Sequence, residues 1–143
     1  MQYRSTSAIP TNRERAVRDI DFDDADGATK DIWIPSNGKK IYLNDVVLSI
    51  MNKHATGYVI VAVQVYAAGT WQTLAIVSVK AQDSANFAYN FGERIHSAAG
   101  DGSAARIRMA KMGTSTSWES HGVVTGESGK IRKYGDPFCA EST

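Results

Sequence analysis

Two apolar runs separated by a short turn form the strongest pattern in the chain. The runs are residues 57–66 and 71–79, and residues 67–70 join them. β-branched and aromatic residues dominate both runs, and a short connection that contains glycine is typical of a β-hairpin. One face of the first run carries only valines, namely Val59, Val61, Val63 and Val65. The pattern therefore predicts a hairpin whose valine face belongs to the core.

The other face of the same strand is unusual because it is largely apolar. It carries the following side chains: Tyr58, Ile60, Ala62, Gln64 and Tyr66. An antiparallel strand with one face in the core normally shows polar residues on its other face. We therefore expect a second protein surface to cover this face.

Further segments have the alternation or the short apolar runs of strands. They are residues 31–34, 40–51, 85–96, 106–109 and 118–125. The apolar parity changes within residues 40–51, because Ile41 and Leu43 share one parity whereas the apolar residues from Val46 onward share the other. A β-bulge near residues 44–45 would direct both halves to one core, and a strand covered on both faces is the alternative.

The N-terminal region, residues 1–30, has a different pattern. Residues 2–9 would form a short extended strand that ends at Pro10. Thr11 and Glu14 then have the spacing of a helix capping box. Apolar residues follow at helical intervals, at Ala16, Val17 and Ile20. The pattern predicts a helix of about two turns that needs a surface to pack on, since isolated helices require roughly 12–15 residues.

The number and spacing of the strand segments predict the fold. There are seven segments, or eight with residues 2–9, and Gly-containing turns separate them. Such spacing is typical of a sandwich or a barrel. We predict an all-β protein: a single antiparallel β-sandwich of jelly-roll type with an N-terminal arm, in which a short helix is possible, and a C-terminal tail. The expected divisions are residues 1–30 for the arm, 31–126 for the sandwich and 127–143 for the tail.

The composition excludes several classes of function. The 143 residues are 43% hydrophobic and 22% charged, which fits one globular domain with a real core. The net charge of +1 argues against a dedicated nucleic-acid binder, which would carry a basic patch. No apolar stretch approaches the ~20 residues of a transmembrane helix, and residues 1–20 lack the apolar region of a secretory signal. Cys139 is the single cysteine, so we expect no internal disulfide and synthesis in a reducing compartment.

A cluster of carboxylates follows the predicted helix. Residues 19–27 contain five aspartates and end in a glycine, a composition that a Ca²⁺ loop would also have. The EF-hand register fails, however, because counting from Asp21 puts Ala25 at a ligand position and no glutamate at position 12. We therefore expect a solvated acidic loop and no metal.

No motif for catalysis is present in the sequence. The three histidines, His54, His96 and His121, lack the spacing of metal ligands. Residues 126–129 are one residue short of a G-x-S-x-G nucleophile elbow and lack its strand-to-helix context. Cys139 has no neighbour in sequence that would lower its pKa. A β-sandwich hydrolase would need carboxylates or histidines that converge in a pocket, and the interpretation favoured here is a protein that is not an enzyme and has no cofactor.

Aromatic residues are the remaining candidates for a binding role. They are Trp33, Trp71, Trp118, Tyr58 and Tyr66. Exposed aromatic rings on a sandwich stack on sugars or anchor protein interfaces, whereas buried rings simply fill the core. Trp71 begins a strand beside a turn, as an aromatic residue at the rim of a sandwich would.

Three segments carry a resemblance to a known group of proteins. Residues 38–47, 71–79 and 87–97 resemble parts of the small jelly-roll structural proteins of tailed phages, of the capsid decoration (cement) type or of tail and fibre knobs. The similarity extends over about residues 31–126 and concerns the strand pattern. It implies a homotrimer seated on a capsid lattice, with arms that reach neighbouring subunits, and it transfers no functional residue.

The preferred hypothesis is a non-enzymatic virion structural protein that clamps capsid subunits. Its partners would be further copies of itself and a major capsid protein, without nucleic-acid or membrane binding, in a virion assembled from chains made in the host cytoplasm. The residues expected at interfaces are Tyr58, Ile60, Ala62, Tyr66, Arg13, Val17, Ile20 and Phe22. The alternative is a phage tail or fibre module that binds carbohydrate or a host receptor through clustered aromatic rings.

Overall fold

Residues 14–129 form eight β-strands in the computed structural model, and these are the residues that the structure describes. The strands are β1 (Glu14–Asp23), β2 (Thr29–Trp33), β3 (Lys40–Asn52), β4 (Val59–Ala67), β5 (Thr70–Val79), β6 (Asp83–His96), β7 (Ile107–Gly113) and β8 (Trp118–Gly129). A short 3-10 helix, Asp24–Asp26, follows β1. Strand is thus the dominant secondary structure of the described chain.

The strands form two four-stranded antiparallel sheets that pack face to face. The first sheet has the order β1-β8-β3-β6 and the second has the order β2-β7-β4-β5. Apart from the β4–β5 hairpin, each strand is followed by one in the opposite sheet, which is the connectivity of an eight-stranded jelly roll. The prediction of an all-β antiparallel sandwich is confirmed.

The core lies between the sheets and begins with the valine face of β4. Val59, Val61, Val63 and Val65 are all buried, as the alternation predicted. They meet apolar side chains of β3 across the gap, and Phe22 and Trp118 close one part of the core with an edge-to-face ring contact at 5.1 Å. Burial of this apolar surface is the main term that stabilises the sandwich.

A bulge in β3 resolves the change of parity within that strand. The register with both neighbours, β6 and β8, shifts between Leu43 and Asp45. The extra residue rotates the strand so that Leu43 and Val46 both face inward, and both are fully buried. The prediction of a bulge at residues 44–45 is confirmed.

The predicted N-terminal helix is wrong for the described residues. Glu14–Asp23 is a strand that pairs with β8 over its whole length. Even-numbered positions face inward: Ile20 and Phe22 are buried, and the Arg18 guanidinium lies 4.8 Å from the Trp33 ring centroid. A ten-residue ladder and two core side chains outweigh the weak helical preference of a two-turn segment. This segment is therefore part of the sandwich, although the sequence placed it in an arm.

The two ends of the described chain differ from the expected boundaries in other ways. β1 extends to Asp23 into the expected acidic loop, and the Asp23 and Asp26 side chains then cap the 3-10 helix reciprocally. β8 continues to Gly129, beyond the expected end of the sandwich at residue 126. The predicted strand at residues 2–9 lies outside the described residues, and the division into arm and tail stays a prediction there.

A buried asparagine holds three strand ends together. The Asn52 amide nitrogen donates to the carbonyl oxygens of Gly57 at 2.9 Å and Lys80 at 3.0 Å, and it lies 3.3 Å from that of Val79. Its side-chain oxygen accepts from the Ser115 hydroxyl at 2.7 Å. Asn52 thereby satisfies backbone carbonyls in buried hydrogen bonds to Gly57 and Val79 and in a part-buried one to Lys80.

Replacing Asn52 with leucine leaves these buried carbonyls without donors. We expect Asn52→Leu to lower the free energy of unfolding by about 2–3 kcal/mol, since each unsatisfied buried group costs roughly 1–3 kcal/mol. Urea unfolding followed by tryptophan fluorescence measures the change. Asn86→Leu at an exposed position of β6 is the control, and an equal loss in both variants would contradict the role of Asn52.

The β4–β5 turn contains a residue in an unfavourable conformation. Ala68 and Gly69 have φ angles of 55° and 80°, so both central residues of this two-residue turn are left-handed. Hairpin turns of this kind favour Asn-Gly, because asparagine adopts positive φ at lower cost than alanine. Ala68 is therefore a strained position.

Ala68→Asn should stabilise the protein. We expect a gain of about 0.5–1 kcal/mol, which would raise the melting temperature by a few degrees. Differential scanning calorimetry tests this, with Ala88→Asn in the middle of β6 as the control that should gain nothing. A melting temperature unchanged or lowered by Ala68→Asn would show that the turn is not strained.

Candidate interaction surface

The outer face of the β2-β7-β4-β5 sheet carries a continuous apolar area. Strand pairing places Ile60 of β4 beside Met112 of β7, and Ala62 of β4 between Ala110 of β7 and Ile76 of β5. We call these side chains, together with the preceding tyrosine, the apolar patch: Tyr58, Ile60, Ala62, Ile76, Ala110 and Met112. Ile76 and Met112 are each 64% exposed, and Tyr58 is 45% exposed. These are large apolar side chains that the protomer itself leaves in water.

The half of this face nearest the β4–β5 turn is polar and aromatic. The Arg108 guanidinium lies 4.2 Å from the Trp71 ring centroid and its Nε donates to the Gln64 side-chain oxygen at 2.7 Å. Tyr66 contacts Trp71 edge to face at 5.3 Å, and Arg106 lies 4.9 Å from the Tyr66 ring. At this end of the face, the aromatic rings and the arginine guanidinium groups contact one another within the protomer. The apolar patch is the part of the face whose large side chains remain exposed among the described residues.

The outer face of the other sheet has a different character. One group of its residues is charged or polar and interacts internally: Glu119 pairs with Lys53 at 2.9 Å and with His121 at 2.9 Å. The hydrogen bond from His121, followed by that from Lys53, holds the pKa of Glu119 below its ordinary value. Met51 is exposed beside Glu119, whereas Val47 lies between Val123 and Ala88, so this face also carries an apolar area. The apolar patch differs in containing the two most exposed large apolar side chains of the described residues, Ile76 and Met112.

The structure brings part of the predicted interface set together. Tyr58, Ile60 and Ala62 lie in the apolar patch, and Tyr66 borders it. Val17 is exposed, but it lies on the outer face of the opposite sheet, and Arg13 lies outside the described residues. Whether these residues contact a partner stays a prediction.

Two residues of that set are wrong as interface residues. Ile20 and Phe22 are fully buried inside the protomer, where they pack in the core between the sheets. The sequence placed Ile20 in a helix of the arm and Phe22 in the acidic loop that follows, whereas the strand conformation directs both side chains inward.

Sequence reasoning missed half of the apolar patch. Ile76, Ala110 and Met112 join it only through the register of β5 and β7 against β4. Ile76 lies within a predicted strand, so its alternation could have been counted. That count gives the wrong face, however, because Leu74 is an extra residue in β5 and shifts the register against β4 between Val63 and Gln64.

The candidate catalytic residues are engaged in structural contacts. His54 Nδ1 accepts from the backbone N–H of Gly57 at 2.6 Å within the turn that precedes β4. Asp21, His121 and Ser49 lie in one row across three strands, but His121 Nε2 lies 2.9 Å from Glu119 and the Ser49 hydroxyl donates to Asn86. No hydroxyl is therefore paired with a base in this row. Among residues 14–129, no group of three possible metal ligands comes together.

The tryptophans differ in their availability for a ligand. Trp33 and Trp118 are buried in the core, so they are not available for stacking on a sugar. Trp71 is half-buried, and Arg108 covers one face of its ring. Trp71 and Tyr66 thus remain the aromatic residues on which the carbohydrate alternative depends.

Comparison with known proteins gives distant likenesses only. No protein-family model matches the sequence, and no curated protein matches it. One similar solved structure comes from Bacillus endospore appendages, which are described as a novel family of disulfide-linked pili. The identity is 12% and the TM-score 0.41, over 92% of this chain and 99% of that chain. The cowpea mosaic virus top component, a naturally occurring empty particle, has 15% identity and a TM-score of 0.38 over 81% of this chain and 76% of that chain.

A third similar structure is that of infectious bursal disease virus, Gt strain. The identity is 8% and the TM-score 0.31, over 92% of this chain but only 35% of the viral chain. The structural neighbours are thus proteins of virus particles and of a pilus. Likenesses at these TM-scores assign no function, so the function is inferred from the surfaces of the chain itself. Among residues 14–129, no helix is long and apolar enough to cross a membrane.

Proposed function

We propose that the protein is a non-enzymatic virion structural protein, of the capsid cement or decoration type found in tailed phages. In this proposal it forms a homo-oligomer, with a trimer favoured, and attaches to a major capsid protein in the virion. The observation that carries the proposal is the apolar patch on the outer face of the β2-β7-β4-β5 sheet. The patch contains the two most exposed large apolar side chains of the described residues, Ile76 and Met112, and an exposed apolar patch of this kind is suited to assembly.

The mechanism would be burial of the apolar patch between protomers. Tyr58, Ile60 and Met112 would lose contact with water together, and each 100 Å² of apolar surface so removed contributes about 2.5 kcal/mol before the costs of association. A specific contact of this kind should bury more than ~1,000 Å² in total. The arginine–aromatic half of the face would then form the polar rim that such interfaces have.

Attachment to the shell would use the terminal segments. Residues 1–13 precede β1 and are mostly polar, so they lack the apolar surface that would hold them on their own sandwich. In the proposal this arm binds a neighbouring subunit of the assembled particle, which is the capsid protein or a further copy of this chain. Its removal would therefore weaken attachment and leave the sandwich folded.

The alternative function is a tail or fibre module that binds carbohydrate or a receptor. Trp71 and Tyr66 favour it, because they lie side by side at the turn end of the sandwich. Binding on a glycan array that is lost in Trp71→Ala would support this alternative. The arginine cover on Trp71 favours the assembly proposal instead.

The oligomeric state tests the assembly proposal directly. We expect the wild-type chain to be oligomeric at micromolar concentration, and Met112→Lys to weaken association by about tenfold or more, equivalent to ~1.4 kcal/mol or more. The physical reason is that a lysine ammonium would have to be buried in an apolar contact. Sedimentation equilibrium over a range of concentrations measures both constants.

Met51→Lys is the matched control for this experiment. Met51 is 49% exposed on the outer face of the opposite sheet, so the same change of chemistry there should leave the association constant unaltered. Thermal unfolding of both variants confirms that the fold is retained. A wild-type chain that stays monomeric and binds no capsid-like lattice would overturn the proposal.

A further inference from the structure

The sandwich is incompletely closed along the edge where β5 and β6 face each other. A groove of about 560 Å³ runs between these strands, one from each sheet. Its apolar lining comes from the inner side of β6 and from the open edge of β5: Leu74, Ala75, Ile76, Phe87, Tyr89 and Phe91. The groove is separate from the outer faces of the sheets, although Ile76 lies at the border between groove and apolar patch.

Tyr89 shows that the opening is a gap in the core. Tyr89 pairs with Val46 of β3, whose side chain is fully buried, so both residues point to the inner side of their sheet. Tyr89 is nevertheless 52% exposed, in the groove between β5 and β6. Its ring contacts Phe91 edge to face at 4.8 Å and stacks near Phe87 at 6.5 Å. Phe91 is buried and Phe87 half-buried, so Tyr89 is the member of this inward aromatic row that lies open to solvent.

The backbone along this edge is also unpaired. β5 and β6 are the terminal strands of their sheets, and within residues 14–129 each has a hydrogen-bonded neighbour on one side only. A long edge strand beside an apolar groove is the arrangement that accepts an added strand, whose main chain pairs with the edge while its side chains fill the groove. The surface therefore fits an extended peptide.

We propose that the groove between β5 and β6 binds residues 2–9 of a second copy of this chain as an added strand along β5. The sequence predicts an extended strand there, with Tyr3 and Ile9 on one side and small serines between them. The C-terminal tail fits less well. Its three cations within residues 130–133 would be repelled by Arg94, which lines the groove, and Pro137 has no backbone N–H to donate to the edge strand. The proposal goes beyond the assembly function, since it concerns a different surface.

The length of the chain before β1 favours a second copy over the same chain. Glu14 begins the edge strand β1 and lies level with the C-terminal end of β6. Three strand spacings separate β1 from β6 across the sheet. A strand added outside β5, at the edge where β6 also ends its sheet, lies four spacings or about 19 Å from β1, and with the ~10 Å gap between the sheets the distance is about 21 Å. If residues 2–9 form the added strand, the five residue steps from Ile9 to Glu14 span at most about 18 Å. The arm is therefore too short to fill the groove of its own protomer.

The contact would also determine the form of the assembly. The arm leaves one edge of the sandwich and the groove lies at the other edge, so the contact joins two different surfaces. Repeated contacts of this heterologous kind generate a closed ring or an open filament. A trimeric ring is one of these outcomes.

Disulfide trapping in the full-length chain tests the proposal. In a Cys139→Ser background, one tagged chain carries Ser5→Cys or Ser7→Cys and a second, differently tagged chain carries Tyr89→Cys. We expect a mixed-tag dimer on a non-reducing gel after mild oxidation, at least tenfold more abundant than with Val47→Cys in place of Tyr89→Cys. Val47 lies on the outer face of the same sheet and is 45% exposed, so it reports random collision.

Two results would overturn the proposal. The first is a cross-link that forms only within one chain that carries both cysteines, which would place the arm on its own groove. The second is cross-linking no stronger than in the Val47→Cys control at both arm positions. If the mixed dimer is absent while the chain is still oligomeric and Met112→Lys dissociates it, the inference fails and the assembly function stands.

A soluble peptide provides an independent measurement. A fluorescent peptide of residues 1–12 should bind the full-length chain, and Tyr89→Glu should weaken that binding at least tenfold while Val47→Glu leaves it unchanged. Tyr89→Ser serves as a milder second variant, and thermal unfolding shows whether each variant is folded. Equal binding by wild type and by both folded Tyr89 variants would contradict the assignment of the groove.

Discussion

The structure depends on a strand that is apolar on both faces. β4 directs its valines into the core, and its other face carries Tyr58, Ile60 and Ala62. A sandwich of two sheets has a single internal interface, so it covers only one face of each strand. The valine face is covered by the protomer, whereas the other face stays partly exposed to water. In the proposed function, a second protein surface covers it.

The apolar patch and the groove are two consequences of the same incomplete burial. The patch exists because β7 and β5 align small or apolar residues with the outer side of β4. The groove lies between the edge strands β5 and β6, where Tyr89 of the inner aromatic row stays exposed. One surface is flat and suits a side-by-side contact, and the other is a cleft with free backbone groups that suits an extended segment. Two such surfaces on different sides of a small sandwich can hold it in a lattice.

The sequence predicted the sandwich well because its strands obey local rules. The β4–β5 hairpin followed from alternation and a Gly-containing turn, and the β3 bulge followed from the change of parity between Leu43 and Val46. β1 was missed because Ala16, Val17 and Ile20 satisfy a helical period as well as a strand period. Only pairing with β8, more than ninety residues later, decides between them. Ten ladder partners are a tertiary effect that a local pattern does not contain.

The candidate surfaces were less predictable than the fold. Tyr58, Ile60 and Ala62 were found because they share one strand, but Ile76 and Met112 join them only through the register between strands. The groove was not predicted, since the alternation of Phe87, Tyr89 and Phe91 looks the same whether the opposite sheet covers them or not. Exposure of Tyr89 depends on the relative lengths and positions of two strands in different sheets. Such geometry is set by the whole sandwich.

Oxidative footprinting of the two exposed methionines of residues 14–129 tests whether the apolar patch is buried on assembly, because both oxidation rates are measured in the same wild-type chain. Met112 lies in the apolar patch and Met51 lies on the outer face of the other sheet, and their exposed fractions of 64% and 49% are similar. We expect peroxide to oxidise both at comparable rates in dilute protein and Met112 alone to become protected as the concentration rises and oligomers form. Oxidation of Met112 at an undiminished rate in a sample shown to be oligomeric would contradict burial of the patch.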